Sequence, residues 1–209
     1  MDFLKDKYNA AGIFFLFLGI LVIIRNILIA DYAAFFWYCD FVTFLFALGF
    51  FLKDMQLVKG LVNIGLFTQL VTLFCLTCAA LFGWDLLGSS AQMNYSKFHI
   101  AISFIIHTFS TNIALLLTYK IKPTSKSLMY SAACLIVMLI TSIAFTPPEI
   151  NVNFVFYSTY LNNSSFLRFA APYYTYLWGF ITFGFVVIPT HFFQHIVYRK
   201  TSKANLITG

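Results

Sequence analysis

The chain has 209 residues, of which 61% are hydrophobic, 20% aromatic and only 10% charged, with a net charge of +6 and a mean hydropathy of +0.85. Soluble domains carry about 25% charged residues, so water is not the main solvent for this surface; a soluble enzyme, a disordered tail and a collagen-like rod are excluded. The apolar residues fall in long runs, not in alternating ten-residue segments, which favours spanning helices over an outer-membrane barrel.

A hydrocarbon core of about 30 Å needs about 20 apolar helical residues. Six runs meet that need: 10–30, 33–52, 57–82, 98–119, 127–146 and 170–198. The first is too long for a cleavable leader and no small-residue cleavage site follows it, so it reads as a span. The last is long enough to tilt or to project beyond the bilayer. Only the connections 83–97 and 147–169 are long, and no internal repeat stands out. The expected fold is all-α, a single transmembrane domain of six helices over 1–209.

Orientation follows from the basic residues. Lys5, Lys7, Lys53, Lys59, Lys120, Lys122, Lys126, Arg199, Lys200 and Lys203 fall on one side of this scheme, and Lys97 and Arg168 on the other. Arg25 lies within the first run. Positive-inside logic puts both termini in the cytoplasm. Trp37, Trp84, Tyr95, Tyr173, Tyr174 and Trp178 cluster toward the outer interface, where amphipathic rings anchor at headgroup level. The basic residues punctuate spans and form no patch, so nucleic acid is not an expected partner. An integral multi-pass protein follows, of the cell membrane in a prokaryote or an endomembrane in a eukaryote.

Reactive side chains inside spans are costly and therefore candidates for function. Cys39 sits in FFWYCDFVTF with Asp40 and Thr43, roughly 9 Å deep at 1.5 Å per residue. Thr43 falls one turn below it on the same face. His107, in SFIIHTFSTN, lies roughly 14 Å deep from the same side. A histidine there can take a thiol proton and activate the nucleophile. The plainer readings are a cysteine that packs as a small apolar residue and a histidine that bonds between helices.

Two other groupings are weaker. Cys75 and Cys78 form CLTC in the third run, either a redox pair or a packing face of small residues. His191 and His195 share a helix face in PTHFFQH, but no acidic residue stands near them. Headgroup contact suits them better, and no metal site is expected. The four cysteines, with Cys134, form no loop framework for disulfides. In the loop 147–169, Asn151 and Asn153 offer amide donors near the outer mouth; Asn162 and Asn163 fit N-x-S; Pro172 fits the first turn of the sixth span.

The order of these signposts resembles the YwaF-like integral membrane proteins, which include the transmembrane-protein-164 acyltransferases. The resemblance covers roughly residues 33–190. WYCD matches the family's cysteine segment at Cys39, and GWD matches its span-three aspartate at Asp85. His107 matches its span-four histidine, while NVNFVF and APYYTY match two outer segments. The family's histidine two residues before the cysteine is Trp37 here, and its proline before the aspartate is Trp84. A more distant likeness is to the androgen-induced-type fatty-acid-ester hydrolases, whose threonine and histidine are echoed by Thr43 and His107.

The resemblance implies lipid acyl chemistry, by transfer or by ester hydrolysis, on a membrane lipid or fatty-acyl substrate and without a cofactor. The residues implied are Cys39, His107 and Thr43 for catalysis, with Trp37, Asp85, Asn151, Asn153, Tyr173 and Tyr174 around the substrate. A pocket between spans two, four and six would hold them. The competing reading is a small transporter or substrate-binding subunit of the vitamin or nucleoside type. A membrane thiol–disulfide enzyme using Cys75, Cys78 and Cys39 is a third.

Overall fold

The structure is a computed structural model, and it describes residues 6–28, 30, 32–83, 97–156 and 173–207. The elements in chain order are helix α1 (Lys7–Leu28), a 3-10 turn (Tyr32–Phe36), α2 (Tyr38–Phe51), α3 (Met55–Phe82), α4 (Lys97–Thr118) and α5 (Ser125–Phe145). A short 3-10 turn (Val152–Phe154) follows, then α6 (Tyr174–Thr182), a π-helical turn (Phe183–Val187) and α7 (Ile188–Ile207). The described residues contain helices and connections only. Five segments are long and apolar enough to cross a membrane, the α6–π–α7 run counting as one. The chain is therefore a multi-pass membrane protein of the all-α class.

Small residues let the first two helices approach closely. A Cβ on Gly12 would sit 2.6 Å from the Phe51 ring, and one on Gly19 would sit 2.6 Å from the Phe44 ring. Between them Phe15 is fully buried and packs on Phe46 and Phe50 at 5.0 and 5.4 Å. Lipid tails are as apolar as these side chains, so helix association rests on such close fits. α3 is central and packs on α2, α4 and α5. The segmented last helix lies on α3 and α5. Pro189 has no N–H to give to the preceding turn, which accounts for the π-helical turn just before it.

The run 33–52 is not one helix. α2 has 14 residues, about 21 Å at 1.5 Å per residue. Trp37 is extended ahead of it, with φ −67° and ψ 135°. The reason lies far along the chain: the Asn153 side chain accepts the backbone N–H of Tyr38 at 2.8 Å. That bond satisfies an orphan donor of the first turn, and the 3-10 turn takes up the residues before it.

Polar contacts show which connections share an end of the bundle. Lys53 pairs with Asp6 at 2.6 Å, and Lys126 with Asp54 at 2.9 Å. Gln56 donates to the carbonyl of Lys122 at 3.0 Å and accepts the N–H of Thr124 at 3.0 Å. Ser127 lies 3.3 Å from Nδ1 of His191. The start of α1, the α2–α3 turn, the α4–α5 turn and the body of α7 thus meet at one end. That end gathers Lys7, Lys53, Lys120, Lys122 and Lys126. At the other end Trp37 packs edge-on to Phe154, Phe36 stacks on Phe145, and Trp178 donates to the carbonyl of Asn153 at 3.0 Å.

Candidate functional site

Near the aromatic end, α1, α2 and α4 enclose a polar seam. Arg25 lies one turn from the end of α1 and is 4% exposed; Asp40 lies in the first turn of α2 and is 2% exposed. Two such charges persist inside an apolar bundle only when paired and hydrogen-bonded. The Arg25 guanidinium forms an ion pair with the Asp40 carboxylate. Its Nε and a terminal nitrogen also donate to Oδ1 of Asn26, at 2.9 and 2.8 Å. Asn26 in turn donates to Asp40 at 3.0 Å, and the remaining guanidinium nitrogen donates to the Ser103 hydroxyl on α4 at 3.0 Å. One network therefore ties three helices together.

Cys39 and His107 border this network from two helices. Cys39 is half-buried and packs against Val22, Ile102 and Ile106. Its thiol donates to the free oxygen of Asp40, with sulfur to oxygen at 3.6 Å. His107 follows Ser103 by one turn on the same face of α4 and is buried. Its Nδ1 is buried without a hydrogen-bond partner among the described residues, and so is the hydroxyl oxygen of the adjacent Thr108. No hydrogen bond joins Cys39 to His107 among the described residues. The thiol proton of Cys39 is directed at Asp40.

The remaining expected residues have other uses. Thr43 is fully buried, and its hydroxyl donates to the Asp40 carbonyl of its own helix at 2.9 Å. Trp37 stands outside α2 against Phe154. Asn153 was expected to aim its amide at substrate; its Oδ1 holds the Tyr38 N–H, and its Nδ2 donates to the Phe36 carbonyl at 2.7 Å and to Ser142 at 3.3 Å. Asn151 accepts the Phe156 N–H at 2.9 Å. Both asparagines hold left-handed backbone, with φ of 49° and 55°, a conformation this residue type tolerates. Tyr173 is exposed and Tyr174 is half-buried against the main core. Trp178, expected at the interface, is 4% exposed and belongs to the core.

The sixth helix lies on α3 and α5, so α1 takes the place that the sequence suggested for it beside α2 and α4. Arg25, Asn26 and Ser103 were not foreseen as site residues. The signal was a charge inside the first run and an opposite one early in the second. Cys75, Cys78 and Cys134 are buried free thiols. The rings of His191 and His195 meet edge to face at 4.9 Å. Among the described residues no three metal-ligating side chains converge. Asp85, Trp84, Tyr95, Asn162, Asn163, Arg168 and Pro172 lie outside the described residues. Compared with known proteins, the chain matches no family model, no curated protein and no solved structure.

Proposed function

We propose that the protein is a membrane-embedded lipid acyl enzyme, an acyltransferase or an acyl-ester hydrolase, that works in the leaflet at the aromatic end. The observation that carries this reading is the unpartnered Nδ1 of His107, a buried base beside the seam that holds the Cys39 thiol. An unsatisfied buried nitrogen costs about 1–3 kcal/mol, and such a cost is commonly retained where a group has chemistry to do.

The reaction would run in two halves. The Cys39 thiol turns from Asp40, its partner at rest, gives its proton to His107, and its sulfur attacks the acyl ester carbonyl. The alcohol leaves with that proton, and a thioester remains on Cys39. Water or a second alcohol, deprotonated by His107, then takes the acyl group and restores the thiol. The amides of Asn151 and Asn153 serve the fold, and Arg25, which already donates to Asp40, Asn26 and Ser103, has one N–H left to offer an oxyanion.

The accompanying topology is six crossings with both termini in the cytoplasm. It is supported by the collection of lysines at one end of the bundle and the positive-inside rule. α2 reaches bilayer thickness when its about 21 Å is extended by about 10 Å of 3-10 turn. A reporter fused after Gly209 that works only outside the cell would refute it.

A second reading is a binding or transport protein for a small polar ligand of the vitamin or nucleoside type. The Arg25–Asp40 pair favours it, since intramembrane ion pairs often mark substrate pathways. The deciding experiment treats purified protein with a reactive acyl-ester lipid and measures intact mass. A single acyl adduct that maps to Cys39 supports the enzyme; a ligand that co-purifies without any adduct supports the binder.

A further inference from the structure

A cleft of about 200 Å³ opens at the basic end, between the first turn of α1 and the end of α4. Lys7, Tyr8, Leu116, Tyr119, Lys120 and Ile121 line it. We propose that this cleft is a binding site for the phosphate of an anionic membrane lipid, with Lys7 and Lys120 as its two cations. The inference requires this end to lie at a membrane surface; it is independent of the chemistry at Cys39.

Charge accounting at this end points to the ligand. The described carboxylates nearby are Asp6 and Asp54, and each already holds a lysine, Lys53 and Lys126 respectively. Lys7 and Lys120 have no carboxylate partner among the described residues. Two ammonium groups therefore face one cleft without a counter-charge from the described residues. Each is instead held over a tyrosine ring, Lys7 at 4.9 Å from the Tyr8 centroid and Lys120 at 5.7 Å from that of Tyr119. Tyr8 is fixed in turn by stacking on Phe50 at 6.3 Å. The cations are thus positioned and not fully satisfied, because a ring face supplies only part of the charge that an anion would.

The apolar side of the cleft selects a lipid over a free ion. Leu116 is 67% exposed, and Phe109, seven residues earlier on the same face of α4, is 47% exposed. An acyl chain can follow this face into the bilayer while the phosphate stays with the lysines. Basic pockets between spanning helices on the cytoplasmic side are the usual seat of acidic headgroups.

The test reconstitutes the full chain in nanodiscs of phosphatidylcholine with a minor share of phosphatidylglycerol, and native mass spectrometry reads the lipid retained. The wild type should keep phosphatidylglycerol preferentially. Lys7→Gln with Lys120→Gln should weaken that retention about thirty-fold, from roughly one surface-charge contribution per lysine. Lys122→Gln with Lys200→Gln removes the same charge from the same end, breaks neither ion pair and should leave the preference intact. Leu116→Ala, which shortens the apolar side of the cleft at an exposed position, should also weaken the retention. Equal losses in both lysine pairs, or none in the first, would overturn the proposal. Displacement of the lipid by millimolar inorganic phosphate would overturn its assignment to a lipid.

Discussion

Asn153 reaches from the loop after α5 to accept the backbone N–H of Tyr38, 115 residues away in sequence, at 2.8 Å. The same side chain donates to the Phe36 carbonyl, and the backbone carbonyl of Asn153 receives the Trp178 indole N–H at 3.0 Å. One asparagine thus sets the start of α2, and with it the placement of Cys39 and Asp40. It also pins α6 to the same corner.

Replacing Asn153 should loosen this corner in two separable ways. Asn153→Gly keeps a residue that accepts φ of 55° and removes only the amide bonds, at a cost of about 1–3 kcal/mol for the groups left unpaired. Asn153→Ala should cost about 1 kcal/mol more, from the left-handed backbone. Thermal unfolding in detergent should show both variants below wild type and alanine below glycine. Equal midpoints for all three proteins would mean that the corner carries no stability.

The buried ion pair calls for a different pattern. Arg25→Met or Asp40→Leu alone strands a charge among α1, α2 and α4 and should destabilise by about 3–5 kcal/mol. The double variant removes both charges and should recover most of that loss, since a buried pair is often replaceable by apolar groups. A double-mutant cycle on unfolding midpoints checks this. Additive losses would show that the two residues are not coupled in the folded protein.

Much of this fold was legible because a bilayer permits few structures. The positions of α1, α3, α4 and α5 follow from apolar run length alone, within a few residues. The break at Trp37 was not legible, because it depends on a side chain from a distant loop. Cys39 and His107 stand out as polar groups in apolar runs; the structure turns the Cys39 thiol to Asp40 and buries His107 one turn beyond Ser103 on α4. Their link to Arg25 required knowing that α1, and not the last helix, lies beside α2 and α4. No local pattern encodes that choice; it comes from the Gly12 and Gly19 face meeting Phe51 and Phe44.

Asp54, in the turn between α2 and α3, gives a prediction in pH. Burial pushes its carboxyl up, but hydrogen bonds from Tyr130 at 2.6 Å, from Lys126 at 2.9 Å and from the Leu57 N–H outweigh that and hold it at about 2, below the ordinary 3.8. A carboxyl lowered on folding stabilises the folded state above its unfolded value, and the gain is lost as pH falls through the folded value. The wild type should therefore exceed Asp54→Asn in unfolding midpoint at pH 6, and the gap should close between about pH 4 and pH 2. A gap that is constant across this range would remove ionisation of Asp54 as its source.

The catalytic reading is tested most directly at the seam. Cys39→Ala should abolish the acyl adduct while the fold persists, since alanine suits a helix and the loss is one half-buried sulfur. His107→Ala should slow acylation by about 10²–10⁴-fold, the usual range for a lost general base. Its Nδ1 has no hydrogen bond to forfeit among the described residues, so stability should change little beyond the loss of ring packing. Thr43→Ala should leave chemistry near wild type, because its hydroxyl is spent on the Asp40 carbonyl. Single-turnover measurement on a chromogenic acyl ester, run beside unfolding midpoints for each variant, separates lost chemistry from lost fold. If Thr43→Ala is inactive while Cys39→Ala turns over normally, the hydroxyl is the nucleophile and Cys39 only packs. If all three variants keep wild-type turnover, the acyl-enzyme mechanism at this seam is wrong and the Arg25–Asp40 network belongs to a binding protein.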